Sequence, residues 1–143
     1  MRELKFRAWD KDANRMAYSE NEDDYWWEIN PFRCGYIAGE SGGDQFEPPS
    51  PIPGYCDNVM QFTGLQDKNG KDIYEGDIIK VPSSWNTYGM HAGEVYEIYF
   101  AHGGFRMKPK YGEKSKGFWL EDDGVFKIIG NIYKNQKLLN QNK

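Results

Sequence analysis

Across its 143 residues the sequence holds only two cysteines and two histidines. Cys34 and Cys56 are widely spaced, and neither has a histidine beside it, so no zinc-binding spacing is present. In a cytoplasmic protein both are expected as reduced thiols, with one bridge between them as the alternative. Long apolar runs are absent as well. The start, MRELKFRAWDKD, lacks a stretch of signal-peptide length, and nothing is long enough to span a membrane. A cytoplasmic location is therefore expected, with no membrane partner.

The signatures of catalysis are missing too. There is no glycine-rich phosphate loop, no GxGxxG and no serine elbow. His91 and His102 bracket a predicted strand, whose straight length would hold them roughly 30 Å apart. The acids Glu75 and Asp77, and the group Glu121, Asp122 and Asp123, fall in turns, where acids are common for backbone reasons. No catalytic residue, metal or cofactor is expected, and an enzyme is the disfavoured class.

What the chain does have is aromatic residues, 16% of the total within a hydrophobic content of 38%. Large rings supply a core where leucine and alanine are scarce, and frequent glycine and proline favour strands and turns. One domain is expected over residues 1–143, with an irregular surface excursion at 19–58, a β core at 59–133 and a tail helix at 134–143. Leu4, Phe6 and Ala8 alternate with Lys5, Arg7 and Trp9, predicting a half-buried strand that pairs with Met16–Tyr18. A short strand is expected around Cys34–Ile37, and others at 59–63, 78–81, 95–100 and 105–109. Near the end, Phe118–Leu120 turns into Val125–Ile129. His102-Gly103-Gly104 suits the hairpin tip between two of these strands. Asn135 is placed to cap the terminal helix.

The stretch QDKNGKDIYEGD, residues 66–77, raises the question of calcium. With Gly70 as the sixth position of an EF-hand loop, the first is Leu65, the eighth Asp72 and the twelfth Gly76. All three fail the requirements of that loop. A hairpin is the better reading, with Asn69-Gly70 as a type I′ turn and Asp67, Lys68 and Lys71 solvating its tip.

The net charge of −4 is unevenly spread. Residues 1–104 carry 9 basic and 18 acidic groups (−9), and residues 105–143 carry 9 basic and 4 acidic (+5). In FRMKPKYGEKSKGFW, strand alternation puts Arg106, Lys108 and Lys110 on the face opposite Phe105, Met107 and Pro109, with Lys114 and Lys116 following. Cations interleaved with aromatics suit single-stranded nucleic acid. The same lysines and proline would also guard the edge of a sheet against unwanted pairing. Trp26, Trp27, Trp85 and Tyr88, in polar loops, are either protein contacts or rings folded back over the core.

Three stretches, KFRAWD, MQFTGLQDKNGKDIYEGDIIKV and FKIIGNIYKNQKLL, resemble the YopX-like family of small phage and prophage proteins. The resemblance implies a mainly β fold and a bacterial host, and it brings no catalytic residue. It implies that Gly76 forms a sharp corner, that Asp77 binds backbone amides there, and that Ile78, Ile79 and Val81 enter the core. GDIIKV followed by GEVYEIYF also looks like the opening of an SH3-like small barrel. The expected protein is mainly β, with an SH3-like β-barrel, an N-terminal hairpin and a short C-terminal helix. Its expected role is non-catalytic binding, to another protein or to itself, with nucleic acid as the alternative partner.

Overall fold

The computed structural model describes residues 3–10, 14–20, 29–30, 33–34, 59–85, 91–109, 117–121 and 123–140. They are mostly β, in antiparallel sheets with one short C-terminal helix, and they fall into two compact units, Glu3–Gln61 and Phe62–Lys143.

In the first unit, β1 (Phe6–Asp10) and β2 (Arg15–Tyr18) form the expected hairpin. Its partners Ala8 and Ala17 are both buried. Ser19 closes the open end: its amide donates to the Phe6 carbonyl at 2.9 Å, and its Oγ accepts from the Phe6 amide at 3.0 Å. The half-buried pattern expected for β1 is not what forms, because Arg7, Ala8 and Trp9 are all buried while Leu4 is exposed. β1 is flanked on its second side by Val59–Gln61, and burial of both side-chain parities means that both faces of the sheet are covered at these residues. Within the stretch expected to be irregular, β3 (Ile29–Asn30) and β4 (Arg33–Cys34) form a short ladder pairing Ile29 with Cys34. Cys56 lies outside the described residues.

Strand β5 (Val59–Gln66) continues into the second unit, where it pairs with β6 (Asp72–Tyr74). The turn between them differs from the expected type. Gly70 has φ 79°, Asn69 keeps an ordinary negative φ, and the Gly70 amide donates to the Asp67 carbonyl at 2.9 Å. This is a type I turn followed by one left-handed glycine, the three-residue hairpin loop. Its cause is Asp67, which is buried and does not solvate the tip. One of its oxygens accepts from the amides of Asn69 (2.8 Å) and Lys71 (3.0 Å), which fixes the loop in that form.

At the next corner Gly76 has φ 77°, and the buried Asp77 accepts from the Tyr74 amide at 2.9 Å. Both roles implied by the motif are present. Then follow β7 (Asp77–Lys80), β8 (Val95–Ala101), β9 (Gly104–Pro109), β10 (Phe118–Trp119) and β11 (Lys127–Asn131), in the sheet order β10-β9-β8-β7-β11. Among the described residues no ladder joins β10 to β11. The type I′ geometry sits in the β8–β9 hairpin, where His102 and Gly103 have φ of 53° and 80°.

One face of this sheet carries the core: Ile79, Val81, Tyr96, Ile98, Phe105 and Met107, joined by Ile73, Leu120 and Phe126. Helix α1 (Gln136–Asn140) begins after Asn135, whose carbonyl accepts from the Leu138 amide at 2.8 Å. The Asn135 side chain turns backwards instead of capping the helix, and its Oδ1 accepts from the Asn131 amide at 3.3 Å.

Candidate binding surface

The opposite face of the sheet is built by register. In antiparallel strands, residues directly across from one another share a face. Lys127 pairs with Lys80, and Lys80 with Val95. Two residues along, Ile78 pairs with Glu97, and Glu97 with Lys108. Beyond these, Tyr99 pairs with Arg106, and Arg106 with Trp119. The face therefore runs from a pair of lysines at one corner to an arginine and a tryptophan at the other.

Lys80, Lys108 and Lys127 are exposed. Arg106 is not, being only 7% accessible. Its Nη2 donates to the Gly117 carbonyl at 3.1 Å, and its guanidinium lies 4.2 Å from the centre of the Trp119 ring. Alternation correctly turns Arg106 away from the core, but β10 brings Trp119 over it. Its Nε has no hydrogen-bond partner among the described residues. Trp119 is itself 48% exposed, so its outer side faces solvent. The ring also lies over Gly104, where a Cβ would stand 2.5 Å from Cζ3. Glu97 is half-buried, and that burial raises its pKa, against the opposing pull of the Lys108 charge.

The edge-guarding reading of residues 106–110 needs correction at Arg106. β10 covers the edge of β9 at Arg106 and Met107, so Arg106 does not guard an open edge, whereas Lys108 lies beyond the β10 ladder with no described strand beside it on that side. At the other edge the tip of the β5–β6 hairpin covers β11. The Lys68 amide donates to the Phe126 carbonyl at 2.8 Å, and the Ile128 amide donates to the second oxygen of Asp67 at 3.2 Å. Burial works to raise the pKa of Asp67, but the amides of Lys71, Asn69 and Ile128 outweigh it and hold the carboxyl below its ordinary value. Those oxygens are committed to donors, an arrangement that suits a structural carboxylate and not a calcium ligand. Among the described residues no group of His, Cys, Asp or Glu is placed to hold a metal.

Trp85 is half-buried against the core, its ring packed on Phe126 with centroids 5.9 Å apart. His91 and His102 are exposed at opposite ends of β8. Lys110, Lys114, Lys116, Trp26, Trp27 and Tyr88 lie outside the described residues. Sequence reading placed Trp119 among the aromatics interleaved with these cations but missed Lys80 and Lys127 as members of this face. For Lys80 a signal existed, since it lies between the core residues Ile79 and Val81, but the register that sets it beside Lys127 is not written in either strand.

The sequence profile described as YopX protein matches residues 5–140. The chain belongs to the YopX family. The structure of this YopX protein is similar to the crystal structure of protein EF1440 from Enterococcus faecalis, with a TM-score of 0.51 and 25% identity. That similarity covers 97% of this chain and 99% of the other. No curated protein matches the YopX chain.

Proposed function

We propose that this YopX protein is a phage- or prophage-encoded, non-catalytic binding protein of the bacterial cytoplasm, acting through contacts with another protein or with itself. The observation that carries the reading is Phe100. It lies on the core side of β8 but is 51% exposed at the strand end, its ring edge-on to Phe105 with centroids 5.3 Å apart. An exposed phenylalanine continuous with a packed core is a natural anchor for a partner. Family membership supports the phage or prophage origin. The SH3-like comparison for β7–β9 fits a binding role by analogy of fold.

What supports the non-catalytic part is how four of the five described buried polar side chains, all but Arg7, are used. Asp67 and Asp77 hold backbone amides, Thr63 Oγ1 donates to the Ile73 carbonyl at 2.8 Å, and Arg106 holds Gly117. Each is tied to a turn or strand end. No helix among the described residues is long and apolar enough to cross a membrane.

The test is affinity purification of the tagged chain from phage-infected cells, alongside Phe100→Ser, with light scattering on both. A partner or an oligomer that depends on Phe100 is the expected result. A monomer that retains the same partners after the substitution would reject the reading.

A further inference from the structure

We propose that single-stranded nucleic acid binds the exposed part of the second face of the five-stranded sheet, along the diagonal from Lys127 and Lys80, past Lys108, to Trp119, with the fully buried Ile78 beside the path. This goes beyond the protein-contact reading and makes no use of Phe100.

Lys127 and Lys80 are the starting point. They are exposed, directly opposite one another, and in no ion pair with a described residue. Like charges in that relation repel, and the pair is stabilised when an anion enters between them. A phosphodiester supplies that anion, and displacing its counterions drives association. At the far corner, Trp119 offers one open side of its ring. The other side is fixed by the Arg106 guanidinium and by the flat backbone at Gly104. A tryptophan held in place in this way costs little to order when a base stacks on it. From strand spacing and rise, the lysine pair and Trp119 are about 20 Å apart along the diagonal, the reach of roughly four nucleotides. Lys108 lies between them. Glu97, opposite Lys108, is the one carboxylate on the described part of this path, and it offsets part of the Lys108 charge. An acidic polypeptide would satisfy the lysines but would leave the stacking surface unused.

The experiment uses the full chain and a fluorescently labelled oligothymidylate of about a dozen nucleotides, followed by anisotropy at low salt. The expected result is saturable binding that weakens with salt, with a log–log slope of about −2 for some three phosphate contacts. Lys80→Glu with Lys127→Glu should weaken it tenfold or more, as about two contacts are lost. Lys80→Gln with Lys127→Gln, which adds no new charge, should weaken it less and guards against misfolding. Trp119→Ala should cost several-fold and leave the salt slope unchanged. Phe100→Ser should leave oligonucleotide binding intact, which separates this proposal from the previous one. No binding at low salt would overturn it, as would indifference to both lysine pairs. Competition by polyglutamate equal to that of unlabelled oligonucleotide, with no effect of Trp119→Ala, would assign the face to acidic polypeptides instead.

Discussion

The Asp67 carboxylate and the Ile128 amide meet at 3.2 Å, joining a hairpin tip to the edge of a sheet 61 residues further along the chain. The DKNGK motif that resembles a calcium loop is thus a clasp, which receives amides where a cation would require free oxygens. Asp67→Asn should destabilise the protein by about 2–3 kcal/mol, because an amide nitrogen must then face a backbone N–H. Chemical denaturation measures this. A loss below half a kilocalorie would remove Asp67 from that role.

The same carboxylate sets an acid limit. Its folded pKa lies below its unfolded value near 3.8, so the unfolded chain binds more protons in that interval. Its stabilisation is full above the unfolded pKa and is lost as pH falls through the folded one. Glu97 has the opposite sign, because its folded pKa is raised, and its contribution declines as pH rises above about 4.5. Glu97→Gln should therefore leave stability at neutral pH unchanged or improved, whereas Asp67→Asn should flatten the acid side of the profile. Melting curves across acid to neutral pH read both.

Lys127→Glu should stabilise the fold by about 0.2–1 kcal/mol, since it replaces a like-charge pair across β7 and β11 by an opposite pair. It should also weaken oligonucleotide binding. If stability falls instead, the two ammonium groups do not confront each other.

At Trp85 the ring and the N–H separate. The indole nitrogen is buried without a hydrogen-bond partner among the described residues, while the ring packs on Phe126. Trp85→Phe should therefore cost under about 1 kcal/mol, and Trp85→Ala about 2–4 kcal/mol. Thermal melts of the two variants decide it. Equal losses would mean that the ring contributes little.

Gly104→Ala should push the Trp119 ring off Arg106, because the new methyl would stand only 2.5 Å from Cζ3. A shift in tryptophan emission with an intact fold is the expected sign.

Much of the fold was legible because strand alternation is a local property. Ile79 and Val81, Tyr96 and Ile98, Phe105 and Met107 each reach the core as their spacing predicts. What failed was set by neighbours distant in sequence. β1 is covered on both faces, so Arg7 is buried together with Ala8. Arg106 faces outward as expected but is covered by a tryptophan from β10. The Asn69-Gly70 turn takes its form from Asp67, whose second oxygen is engaged by Ile128. For the binding face, single strands reveal which lysines point out, and only the register reveals which of them are neighbours.

The clasp also bears on folding kinetics. A bond between residues 61 apart confines a long loop, and contacts that distant are entropically unfavourable to make early. Its loss should accelerate unfolding and leave the refolding rate nearly untouched, the behaviour of a latch that closes after the transition state.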